Sequence, residues 1–62
     1  MEDTIFALLL RDIRAKKEAI KDTLASGGVS SFEAYCTLVG EYSALDRVEG
    51  DIKSLEERFI AN

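Results

Sequence analysis

The chain has 62 residues, with eight lysines and arginines against twelve aspartates and glutamates and a formal net charge of −4. One cysteine and no histidine exclude an internal disulfide and a Cys/His zinc site. A core of this size supplies only a few kcal/mol, so the expected further support is another protein surface.

Hydrophobic residues make up 47% and charged residues 32%, a globular rather than disordered balance. Residues 1–28 hold five basic and five acidic side chains, and residues 29–62 hold three basic and seven acidic ones. The acidic excess therefore sits in the second half and argues against polyanion binding through bulk charge. The run Ile5-Phe6-Ala7-Leu8-Leu9-Leu10 is too short to span a membrane, and acidic residues precede it. The sequence thus predicts neither a membrane span nor a secretory leader there, and a lone thiol fits a reducing compartment.

In chain order, the first predicted element is a helix over residues 4–25, capped by Asp3 or Thr4 and free of glycine and proline. A turn over 26–30 follows, with Gly27-Gly28 at its centre. Gly27 lacks the Cβ that penalises positive φ and suits a left-handed helix terminator. Ser30 and Glu33 have the spacing of a capping box, in which the hydroxyl serves an orphan N–H and the carboxylate reaches back. The second helix is expected over 31–60. Two helices joined by so short a turn lie antiparallel. The expected fold is all-α: a coiled-coil-like two-helix hairpin, completed by oligomerisation or by packing on a partner.

The first helix has an apolar seam at Phe6, Leu10, Ile13, Ile20 and Leu24, with Lys17 in the missing position. The second reads Tyr35, Leu38, Tyr42, Leu45, then Val48, Ile52, Leu55 and Phe59, with a stammer between Leu45 and Val48. The tightest turn sets Leu24 beside Phe32, Leu10 beside Leu45, and Phe6 near Val48 and Ile52. In that register Leu55, Phe59 and Ile60 outrun the first helix. Fully burying such side chains contributes about 1.5–3 kcal/mol each, so an outside surface is expected to cover them. Ile5 and Leu8 lie off the seam at the same open end, and the five residues form the candidate partner interface. A second candidate is the small-residue stripe containing Gly40 and Gly50. Glycine inside a helix costs roughly 0.8–1 kcal/mol relative to alanine, which a close-packed neighbour would justify.

Catalytic chemistry is not legible. Cys36 has no histidine to activate it, no phosphate-binding loop follows a strand, and the acidic pairs lack calcium-loop spacing. The expectation is a non-enzyme without cofactor, metal or small-molecule substrate.

The stretch from Ala25 to Phe59 resembles short proteins encoded near the structural genes of tailed, podovirus-like marine bacteriophages. The residues that carry the resemblance are Ser26-Gly27-Gly28, Ser30-Ser31-Phe32, Tyr35 and Leu38-Val39-Gly40 before an amphipathic helix. It implies a phage helical hairpin, located in the virion or in the host cytoplasm during assembly. The leading expectation is a structural or assembly protein that binds itself or a capsid, portal or tail component. The alternatives are a dimeric four-helix-bundle regulator contacting nucleic acid through Arg11, Arg14, Lys17 and Lys21, and a small acidic inhibitor of a host enzyme.

Overall fold

The structure, a computed structural model, describes residues 4–60. Two helices occupy them, α1 (Ile5–Ala25) and α2 (Phe32–Ile60), packed against each other as an all-α hairpin. Thr4 caps α1: its extended backbone turns the hydroxyl back to accept from the Ala7 N–H at 3.1 Å. Asp3, the other expected cap, lies outside the described residues.

α1 ends in a Schellman motif. Gly27 has φ +76°, Gly28 N–H donates to Thr23 C=O at 3.2 Å, and Gly27 N–H donates to Leu24 C=O at 3.5 Å. Orphan carbonyls of the last turn are satisfied in this way, and the chain leaves the helix sharply.

The cap of α2 differs from the expected one. Ser31, not Ser30, supplies the hydroxyl, which accepts from Ala34 N–H at 3.0 Å, while Tyr35 N–H donates to Ser31 C=O. With Ser31 as cap, the third helical position is Ala34. Glu33 therefore sits one residue short of the position from which a capping-box carboxylate reaches back, and instead places negative charge in the first turn. Ser31→Ala should lower stability by about 0.5–2 kcal/mol, whereas Ser30→Ala should be near neutral. Paired thermal melts check this, and equal losses would refute the assignment.

The larger difference concerns register. Phe6 stacks on Phe59, with ring centroids 6.4 Å apart and planes 14° from parallel. Further along, Arg14 and Lys17 reach Glu49, and Lys17 reaches Asp46. Phe6 therefore lies roughly two turns or more beyond its expected neighbours Val48 and Ile52. Phe59 does not outrun α1 at all. The connection explains the slip: after the Schellman turn, residues 28–30 are non-helical and advance the chain before α2 begins. Three non-helical residues span at most about 10 Å, and the first turns of α2 overhang the end of α1.

Charge then favours the slipped register. In the expected one, Lys17 would oppose Leu38 and bury an ammonium against an aliphatic chain, a costly arrangement. In the observed one it meets two carboxylates.

The seam of α2 changes accordingly. Its buried and half-buried positions are Ala34, Leu38, Tyr42, Leu45, Glu49, Ile52 and Glu56, in unbroken steps of four and three. The expected stammer is absent. Val48 and Leu55 are each 41% exposed, because Glu49 and Glu56 take the inward positions. Leu10 and Ile52 are the only buried side chains among the described residues, and neither is wholly sealed from solvent. Overall the chain is a rod of 47 × 17 × 12 Å, its length set by α2.

Candidate interaction site

The sequence places lysine in the seam of α1 and glutamate in the seam of α2, and the helices bring them together. Lys17 Nζ donates to Glu49 Oε1 at 2.6 Å and to Asp46 Oδ1 at 2.7 Å. Arg14 Nε donates to Glu49 Oε2 at 2.6 Å, so both carboxylate oxygens of Glu49 are engaged. The Lys17 ammonium also lies 5.1 Å from the Tyr42 ring centre, a cation–π contact. Both Lys17 and Glu49 side chains are largely covered, at 14% and 15% exposure.

Hydrogen bonds from Lys17, then Arg14, hold the Glu49 carboxyl down to about 2, against the action of desolvation. Hydrogen bonds to Asp46, then Glu49, raise Lys17 above the ordinary lysine range. The lowered carboxyl stabilises the fold fully above its ordinary value near 4.5, and that contribution fades as pH falls towards 2. The raised ammonium contributes fully below 10.5 and loses its effect only at more alkaline pH. Helicity should therefore be pH-independent between about 5 and 10 and fall on acidification below about 4.5. A circular-dichroism titration checks this, and Glu49→Gln should flatten the acid limb while lowering stability at neutral pH.

Around this cluster an open groove of about 180 Å³ is lined by Arg14, Lys17, Glu18, Lys21, Tyr42 and Glu49. It is smaller than the roughly 300–1,000 Å³ typical of ligand pockets. Lys21 turns to Glu18 on its own helix at 3.4 Å. Among the described residues, no group of three or more His, Cys, Asp or Glu is placed to hold a metal ion. Nor is any of their helices long and apolar enough to cross a membrane.

The five open-end residues are all exposed: Ile5 62%, Leu8 45%, Leu55 41%, Phe59 72% and Ile60 54%. They do not share one face. At about 100° per residue, Ile5, Leu55 and Phe59 fall on the flank opposite the Lys17–Glu49 cluster. Leu8 projects from the back of α1, and Ile60 lies on the same side as the ion pairs. Gly40 and Gly50 lie on the outer surface of α2, where an added Cβ would meet nothing within 4 Å. Within the hairpin, then, neither glycine is explained by close approach.

Sequence reasoning missed a second apolar cluster, at the turn. Phe32 and Tyr35 stack at 6.3 Å and are 78% and 48% exposed, with Val39 beside them. They lie on the overhang of α2, past the last turn of α1. The available signal was two aromatics three residues apart just after the cap.

The fold and these surfaces define a helical hairpin with apolar ends and a polar-clasped middle. Comparison of the chain with protein-family models, curated proteins and solved structures gives no match.

Proposed function

We propose that the chain is a non-enzymatic assembly protein, a helical hairpin that binds another protein through the apolar surface of its open end. The observation that carries this reading is the balance of burial. Among the described residues two side chains are buried, whereas ten large hydrophobic ones are exposed, Phe59 among the most exposed of them. At the open end Ile5, Leu55 and Phe59 share one flank, and contiguous apolar patches with aromatic anchors are frequent interaction sites.

The resemblance of residues 25–59 to phage-encoded hairpins supplies the setting: a tailed-phage particle, with a capsid, portal or tail component as partner. Many symmetric copies would multiply weak individual contacts. Mass spectrometry of purified particles tests this, with the chain expected at a stoichiometric level. Its absence from particles at every assembly stage would overturn the virion setting.

The arrangement of cations favours this reading over nucleic-acid binding. Arg14 and Lys17, two of the four basic residues that such a contact would use, are clasped by Glu49 and Asp46. A filter-binding assay at moderate salt should accordingly show no salt-dependent retention of DNA or RNA.

A further inference from the structure

The two flanks of the hairpin differ in kind. One carries the cluster of Arg14, Lys17, Asp46 and Glu49. The opposite flank, at about 100° per residue, carries Ile5, Leu9, Ala19 and Thr23 of α1 with Thr37, Ala44, Val48, Leu55 and Phe59 of α2, and the stripe on α2 also includes Glu41 and Asp51. The apolar residues of this flank are graded: bulky ones (Ile5, Leu9, Leu55, Phe59) lie towards the open end, and small ones (Ala19, Thr23, Ala44, Thr37) towards the turn, with Glu41 the one large side chain among the latter.

We propose that this flank is a self-association surface, occupied by a second copy of the chain running antiparallel to the first. Rotation about a two-fold axis across the middle of the face sets α1 on α1 and α2 on α2. Leu9 of one copy then covers Ala19 of the other, and Leu55 covers Ala44, so bulky side chains meet small ones. On α1 the charges at the centre agree, while on α2 Asp51 lies beside the axis opposite Val48. Asp12 and Lys16, bridged at 2.9 Å within α1, flank the axis, where the same rotation brings each towards its opposite on the second copy. The product is an antiparallel four-helix bundle.

The elongated shape leaves surface for such a contact to bury. A compact monomer of 6.9 kDa exposes about 4,000 Å², whereas this chain exposes 4614 Å². The excess, about 600 Å², approaches the roughly 800 Å² that each partner buries in a standard-size interface.

This proposal rests on the reading of the chain as an assembly protein and names the first partner of its apolar surface. Sedimentation equilibrium of the full chain tests it, with a mass of twice 6.9 kDa expected at micromolar concentration. Ala44→Lys introduces a good helix former at a position exposed in the hairpin, and should weaken the dimer at least about tenfold. A second measurement does not depend on that variant. A chain carrying Leu9→Cys and Ala19→Cys, with Cys36→Ser, should oxidise to a linked dimer. The two new thiols lie ten residues apart on one helix, about 15 Å, too far to pair within a chain.

A monomer at all concentrations, a trimer, or failure of the thiols to link would overturn the proposal. So would a dimer unaffected by Ala44→Lys but dissolved by Phe32→Ser, which would move the contact to the turn. A monomer still found in particles would sink the second-copy partner and leave the assembly role standing. A dimer absent from particles would do the reverse.

Discussion

Leu10→Ala or Ile52→Ala is expected to leave the chain largely unfolded. In larger cores, truncating a buried leucine or isoleucine to alanine costs about 2–5 kcal/mol, through lost transfer free energy and the cavity left behind. A single core of this size supplies only about 3–5 kcal/mol in total. Leu10 and Ile52, at 7% and 8% exposure, are the only buried side chains among the described residues, so either truncation removes much of the margin. Circular dichroism at 25 °C should show most of the helical signal lost in either variant. Retention of a cooperative melt within a few degrees of the parent would mean that stability resides elsewhere. The exposed Leu8 provides the contrast, since Leu8→Ala should leave the helical signal of the hairpin nearly unchanged. If association contributes to stability, the midpoint of the parent will also rise with concentration.

The helices were legible in the sequence for local reasons. Gly27 marks the end of α1 because only glycine enters the left-handed region without strain, and the serines before Phe32 mark the next start. The seam of α1 was equally plain, since Phe6, Leu10, Ile13, Ile20 and Leu24 all turn inward or half-inward. Register was not legible, and one short segment accounts for it. Joining two helix ends by the tightest turn ignores the axial advance of residues 28–30, and that advance decides every cross-helix pair. The seam of α2 was misread for a related reason. Apolar periodicity passes over Glu49, since a carboxylate belongs in a seam only when a cation faces it, and Lys17 faces it only in the slipped register. The interface residues were legible as exposed apolar groups, but their division among faces depends on the same pairing. Leu55 and Phe59 fall with Ile5 on one flank, Ile60 on the other, and Leu8 behind.

Reversing one charge in that seam should have an effect comparable to hollowing the core. Lys17→Glu would set a third carboxylate against Asp46 and Glu49, in a position where the lysine is only 14% exposed. Three things are lost together: both ion pairs of Lys17, the cation over Tyr42, and half of the compensation for covering Glu49, which keeps only Arg14. Removing one partner of a covered pair is more damaging than replacing both, because the remaining Glu49 carboxylate stays covered with one cation, Arg14, in place of two. The thermal midpoint should fall by about 10 °C or more for a chain of this size. Two double variants separate the causes. Lys17→Glu with Glu49→Lys restores opposite charges across the seam and should recover part of the loss, with Arg14 now facing a lysine. Lys17→Met with Glu49→Leu removes both charges and should leave the hairpin as stable as the parent or more so. The apolar double variant would, however, lose the feature that penalises the tighter register, in which Lys17 opposes Leu38. A spin-label pair at Phe6 and Phe59 would then report a second, longer distance beside the close one. A single short distance in that variant would show that the advance of residues 28–30 alone fixes the register, and that the ion pair follows it.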